Sequence, residues 1–199
     1  MVLPGSESFP VLDRSVAETQ LRRLMSIDPA LASSLAADTT KALQHHGVLS
    51  PSGAGACFTT WQVRTESGRF ALKVARREFM TRLGEPGVRA WVRGLRRVIA
   101  KRSGLPLVPA MDVIELQPAT LAVAMTWGER RGTTSRIVDP GGRESRDAVT
   151  NQLDELQRQL GQMGLFLGDV PQILWSGDKP FICDWSDLEW LSESATRSR

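Results

Sequence analysis

The chain has 199 residues, 41% apolar and 24% charged, with 17 Gly and 11 Pro. That is the make-up of an ordinary folded domain and excludes a disordered, collagen-like or fibrous chain. The length suits one sizeable core, or two small lobes packed on each other, and excludes two large domains. No run approaches the roughly 18 uninterrupted apolar residues of a membrane helix, and the N-terminus lacks a basic region followed by an apolar run. Neither a membrane anchor nor a secretory signal is expected. The two cysteines, Cys57 and Cys183, lie 126 positions apart, which is neither a disulfide framework nor a zinc spacing. Reduced thiols in a cytoplasmic setting are expected.

A net charge of +3 conceals an asymmetry. Between Arg64 and Arg102 stand twelve Lys/Arg against Glu66, Glu78 and Glu85; between Glu144 and Glu193 stand ten Asp/Glu against Arg146, Arg158 and Lys179. Two such segments either attract each other across a cleft or form separate solvated faces. Basic residues comprise 21 Arg and only four Lys, so each lysine is informative.

In chain order, Ser15 to Met25 reads as a short amphipathic helix carrying Val16, Leu21 and Leu24. Asp28-Pro29 opens a second helix, as cap and first position, that runs through Leu35 and Leu43 to Gly47. His45 and His46 suit its C-terminal end as caps rather than as metal ligands. The small-residue loop Ser50 to Ala56 follows, then a hairpin: Phe58 to Arg64 alternates, Glu66-Ser67-Gly68 turns, and Phe70 to Ala75 returns. Pro86-Gly87 opens a basic helix to about Lys101. Pro106 to Leu116 and Thr120 to Thr126 read as strands, and Gly128 to Gly142 as a polar junction. Arg143 to Met163 is a strong amphipathic helix, with Val149, Leu153, Leu156, Leu160 and Met163 on one stripe. Two short strands, Gln172 to Trp175 and Pro180 to Asp184, flank the turn Ser176-Gly177-Asp178-Lys179.

Three features could carry chemistry. Asp169 and Asp184 bracket the last hairpin, and an antiparallel hairpin returns its ends to one place. Paired acids there hold Mg²⁺ or orient a nucleophile; the plain alternative is a turn cap and a strand end. Lys73 interrupts the apolar strand Phe70 to Ala75 on the side of Ala71 and Ala75, either at a wet edge or pointing into a cleft. Gly53-Ala54-Gly55-Ala56 would let backbone N–H groups approach phosphate closely.

Taken in order, these features resemble the protein-kinase-like superfamily, including its aminoglycoside-phosphotransferase and RIO relatives. Ala71-Leu72-Lys73-Val74 is similar to the Val-Ala-Ile-Lys strand. Gly168-Asp169 with Ile173-Leu174-Trp175 is similar to the catalytic loop, and Cys183-Asp184-Trp185 to the Ile-Asp-Trp form of the metal-binding motif. The resemblance implies an α+β, two-lobed fold: a helical extension over 1–47, an N-lobe with a small antiparallel sheet over 48–128, and a reduced, mainly helical C-lobe over 129–199. It implies ATP and Mg²⁺ as cofactors, with phosphoryl transfer driven by positioning and charge neutralisation. Lys73 would hold the α- and β-phosphates, and Asp169 would orient the attacking hydroxyl. Asp184 and Gln172 would bind the metal, and Gly53 and Gly55 would cover the phosphates. Trp127 would lie at the hinge beside the adenine; Glu85, or else Glu78, would pair with Lys73; both cysteines would line the nucleotide site.

The chain also departs from that pattern. Only Val170 and Pro171 separate Asp169 from Gln172, Leu167 replaces the usual His, the third loop glycine is missing, and fifteen residues follow Asp184. Two functions follow. One is a minimal bacterial kinase phosphorylating a hydroxyl of a protein (Ser/Thr) or a small molecule, cytoplasmic or delivered to a host cytosol. The alternative is a pseudokinase that binds a nucleotide or docks a protein partner without catalysis. A nucleic-acid surface on Arg89, Arg93, Arg96 and Arg97 is the least favoured reading, since a solvated helix face explains that spacing.

Overall fold

The computed structural model describes residues 14–27, 49–65, 68–117, 120–130, 143–168 and 172–191. The expected helix from Asp28 to Gly47, with His45 and His46, lies outside the described residues, as do most of the Gly128–Gly142 junction and Asp169. Among the described residues the architecture is mixed α and β, with a small antiparallel sheet and three helices. Among the described residues no helix is long and apolar enough to cross a membrane.

Helix α1 spans Arg14–Ile27, and five strands follow it into one sheet: β1 (Leu49–Ala54), β2 (Phe58–Thr65), β3 (Gly68–Ala75), β4 (Met111–Gln117) and β5 (Thr120–Thr126). Their order in space is β1-β2-β3-β5-β4, every pair antiparallel. The alternation read from the sequence sorts the two faces. Trp61, Val63, Phe70, Leu72, Val74, Ala122 and Ala124 form one buried cluster with Ala17 and Leu21 of α1. Phe58, Ala71, Leu121, Val123 and Met125 point the other way, into the larger core. Because both faces are covered, β5 is buried along its whole length, and a continuous apolar run is what such a strand requires. Pro51 is tolerated because β1 is an edge strand, with a shift in register between Pro51 and Gly53.

Helix α2 spans Arg77–Lys101 and starts nine residues earlier than the Pro86 start read from the sequence. It is two helical stretches joined at Gly84, whose φ of 63° and ψ of 170° are not helical. Pro86 therefore opens the second stretch rather than the element. The first stretch exists because it buries Phe79 against the core. Strand β4 starts at Met111, not Pro106; before it, Leu107 adopts a φ of 58° and its carbonyl accepts the Ile182 N–H at 2.9 Å. Helix α3 (Arg143–Gln162) buries Val149, Leu156 and Leu160, as its stripe predicts.

Among the described residues, four short strands follow α3. β6 (Leu165–Leu167) pairs with β9 (Leu188–Trp190), and β7 (Ile173–Ser176) pairs with β8 (Lys179–Ile182). The β7–β8 hairpin is the expected one. It is held against the chain leaving β5 by a two-way bridge, Glu129 N–H to the Trp175 carbonyl at 2.9 Å and Trp175 N–H to the Glu129 carbonyl at 3.0 Å. That bridge places the C-terminal hairpin beside the sheet.

Candidate functional site

Between the sheet and the β7–β8 hairpin lies a cleft of about 590 Å³. Strand β3 is the middle of the five strands, so the wet-edge reading of Lys73 is overturned. The side chain leaves the sheet opposite Thr60 and Val123 and points into the cleft. Its ammonium lies 5.6 Å from the centroid of the Phe58 ring and donates a hydrogen bond to the carbonyl of Cys183. Lys73 thus ties the sheet to the residue immediately before Asp184.

Asp184, Gln172, Gly55 and Trp127 line the same cleft. The hairpin brings Gln172 and Asp184 together: the Cys183 N–H donates to the Gln172 carbonyl at 2.9 Å, and the Cys183 thiol stands 3.9 Å from Gln172 Oε1. Asp184 Oδ1 accepts the Ser186 N–H at 3.0 Å, which bends the chain after the strand. Trp127 follows β5 directly, with the Arg69 guanidinium 5.9 Å from its ring. Gly55 closes the loop after β1, its N–H donating to the Phe58 carbonyl at 2.8 Å, while Arg76 Nη1 donates to the Gly55 carbonyl at 3.0 Å. Cys57 and Cys183 also line the cleft, and both are free thiols. Burial pushes the Cys183 thiol above its usual range, against the opposing pull of Lys73.

Two expected residues fall elsewhere. Gly53 belongs to β1, in register with Thr60, and the cleft lining begins at Gly55. Glu85 does not pair with Lys73. It sits at the Gly84 kink with its carboxylate 2.6 Å from Arg89 one turn on, and its side chain is 74% exposed. Glu78 is no substitute, being exposed and 3.6 Å from Arg76. Among the described residues no carboxylate comes within ion-pair distance of Lys73.

The structure adds residues the sequence reading did not single out. Asp187 lines the cleft with Asp184, and its carbonyl accepts the Gly168 N–H at 2.9 Å. Arg82, Arg130 and Thr60 line it too. The three-residue spacing of Asp184 and Asp187 in a turn was the available signal for Asp187. Arg82 was hidden because the first stretch of α2 was not recognised.

The charge asymmetry is therefore partly a cleft and partly a solvated face. Lys73 and Arg82 from the basic segment line the same space as Asp184 and Asp187 from the acidic one. On the outer face of α2, Arg89 pairs with Glu85 and Arg96 with Glu115, each at 2.6 Å, while Arg93 and Arg97 lie over the Trp190 ring. No protein-family model and no curated protein matches the chain. The site is read from its own geometry.

Proposed function

We propose that the chain is a minimal, two-lobed kinase-like phosphotransferase that moves the terminal phosphoryl group of ATP to a hydroxyl of a protein or small molecule. One observation carries this reading. Gly55, Lys73, Trp127, Gln172 and Asp184, drawn from five separate stretches of chain, line a single cleft. Lysine in mid-sheet is costly to place unless a partner or ligand meets it, and the stations match phosphoryl transfer, where positioning and charge neutralisation dominate.

In this reading Lys73 holds the phosphates, Gly55 lets the loop approach them, and Trp127 flanks the base. The oxygen donors fit Mg²⁺, which binds through one or two carboxylates plus substrate phosphates rather than in an all-protein cage. Asp184 and Gln172 would hold it, and it would neutralise the charge of the phosphates. Among the described residues no group of three or more acidic, His or Cys side chains forms such a cage. Asp169, which the resemblance makes the residue orienting the acceptor, would receive the hydroxyl proton. The acceptor oxygen bonds to phosphorus as the bond to the leaving diphosphate oxygen breaks.

One feature favours the non-catalytic alternative. Lys73 is held by the Cys183 carbonyl, and both candidate glutamates are turned to arginines outside the cleft. The test is thermal unfolding with ATP, with and without Mg²⁺, on the wild type and Asp184→Ala. Ligand at a hundred times its dissociation constant adds about 2.7 kcal/mol, so a Mg²⁺-dependent shift that Asp184→Ala abolishes is expected. No shift at millimolar ATP sinks the enzyme reading. Asp169→Ala then separates the two functions, because it removes transfer from an enzyme and leaves a binding module unchanged.

A further inference from the structure

Two cations that line the cleft lie over neighbouring aromatic rings. Phe58, which lines the cleft, and the buried Phe79 meet in a tilted contact with ring centroids 5.1 Å apart. Lys73 lies 5.6 Å from the Phe58 ring and Arg82 5.5 Å from the Phe79 ring. Both side chains line the cleft. Arg82 also sits at the glycine loop, its Nη2 3.5 Å from Cys57 Sγ. Among the described residues no carboxylate lies within ion-pair distance of either cation. Two like charges brought to one cleft repel each other, and each ring contact offsets only a small part of that cost at a hydrated site. An anion placed between them removes the repulsion.

We propose that Arg82 is a second phosphate-holding residue of this cleft, so that its ligand is a nucleoside triphosphate, recognised through successive linked phosphates. The proposal rests on the nucleotide reading given above. Two cations on neighbouring rings suit a chain of phosphates better than a single one. A guanidinium presents a planar fork of donors that matches phosphate oxygens in pairs, which an ammonium does not. Arg82 also accounts for what replaces the expected lysine–glutamate pair. The helix after β3 sends a cation, not an acid, to the phosphate end of the cleft, and Lys73 is positioned instead by the Cys183 carbonyl.

The test is a ladder of dissociation constants for ATP, ADP, AMP and inorganic tripolyphosphate, with Mg²⁺ present, on the full-length wild type, Arg82→Ala and Arg82→Lys. A charge-assisted hydrogen bond at a partly hydrated site corresponds to about a tenfold effect. Arg82→Ala should weaken ATP and tripolyphosphate by about that factor and leave AMP nearly unchanged. Arg82→Lys should fall between. Because Arg82 is exposed, folding should not change, and the ratio of ATP to AMP affinity is insensitive to a general loss of stability. If ATP binds the wild type and that ratio is unaltered in Arg82→Ala, the Arg82 assignment is overturned and the nucleotide reading stands. If tripolyphosphate binds in an Arg82-dependent way but no nucleotide does, the polyphosphate role stands and the nucleotide reading falls. Binding of none of the four overturns both.

Discussion

Gly128 stands where the chain leaving β5 meets the hairpin that bears the acidic end of the cleft, and no side chain fits there. A Cβ on Gly128 would overlap the Phe181 ring, with Cε1 at 2.7 Å, and would lie 2.8 Å from Leu174 Cβ. Phe181 is fully buried. Gly128→Ala must therefore push β7 and β8 away from the sheet. Overpacking of this kind costs about 1–3 kcal/mol. Because Leu174 and Phe181 line the cleft, ATP affinity should fall as well. A urea melt reads the first effect and a titration the second; an unchanged melt would mean that the hairpin is not seated on Gly128. Single residues were legible in sequence where their type clashed with their surroundings. Lys73 was visible as one of four lysines, placed in an apolar strand. Glu85 was misread because sequence spacing cannot show that Arg89 would hold it in solvent.

At the scale of elements, the kink in α2 decides what reaches the cleft. Gly84 takes a φ of 63° with a ψ of 170°, a backbone region essentially confined to glycine that costs a residue with a Cβ about 1–3 kcal/mol. The bend lets Phe79 of the first stretch and Trp91 of the second pack edge to face, with centroids 5.6 Å apart and planes at 82°. It also leaves Arg82 directed at the loop. Gly84→Ala should lower stability by about 1–3 kcal/mol, and Gly84→Asn should lose as much, because asparagine's tolerance of positive φ lies mostly in the αL well at much lower ψ. A melt of either variant equal to that of the wild type would show that the kink is not held by this backbone conformation. Elements with many repeats of their period, β2, β3 and α3, were readable from sequence. The first stretch of α2 is too short for its apolar residues to establish a period, and β6 and β9 have three residues each. Such elements exist because partners across the fold complete them, and that information is not local.

For the whole molecule, the question is how a cleft built from distant stretches keeps its parts in register. Phe58 follows the glycine loop, Phe79 and Trp91 come from the two halves of α2, and the three rings lie within 6.0 Å of one another. The cluster continues to the acidic end, because Trp91 Nε1 donates to the Trp185 carbonyl at 2.8 Å, one residue past Asp184. Loop, helix and acidic turn therefore meet in one buried group. Trp91→Phe isolates that link: it keeps much of the ring but removes the donor, leaving the Trp185 carbonyl only the Leu188 N–H at 3.3 Å, a loss of about 0.5–1.5 kcal/mol. Phe79→Ala, by contrast, opens a cavity at about 3–5 kcal/mol and leaves the hydrogen bond in place. If the bond to Trp185 holds Asp184 in register, Trp91→Phe should lower the Mg²⁺-dependent part of ATP binding more than its own loss of stability accounts for. Phe79→Ala should weaken ATP with and without Mg²⁺ alike, through the loop and Arg82. Equal Mg²⁺ dependence in the two variants would mean that the core supports the cleft only as packing. A difference would mean that this one hydrogen bond carries the register of the acidic turn.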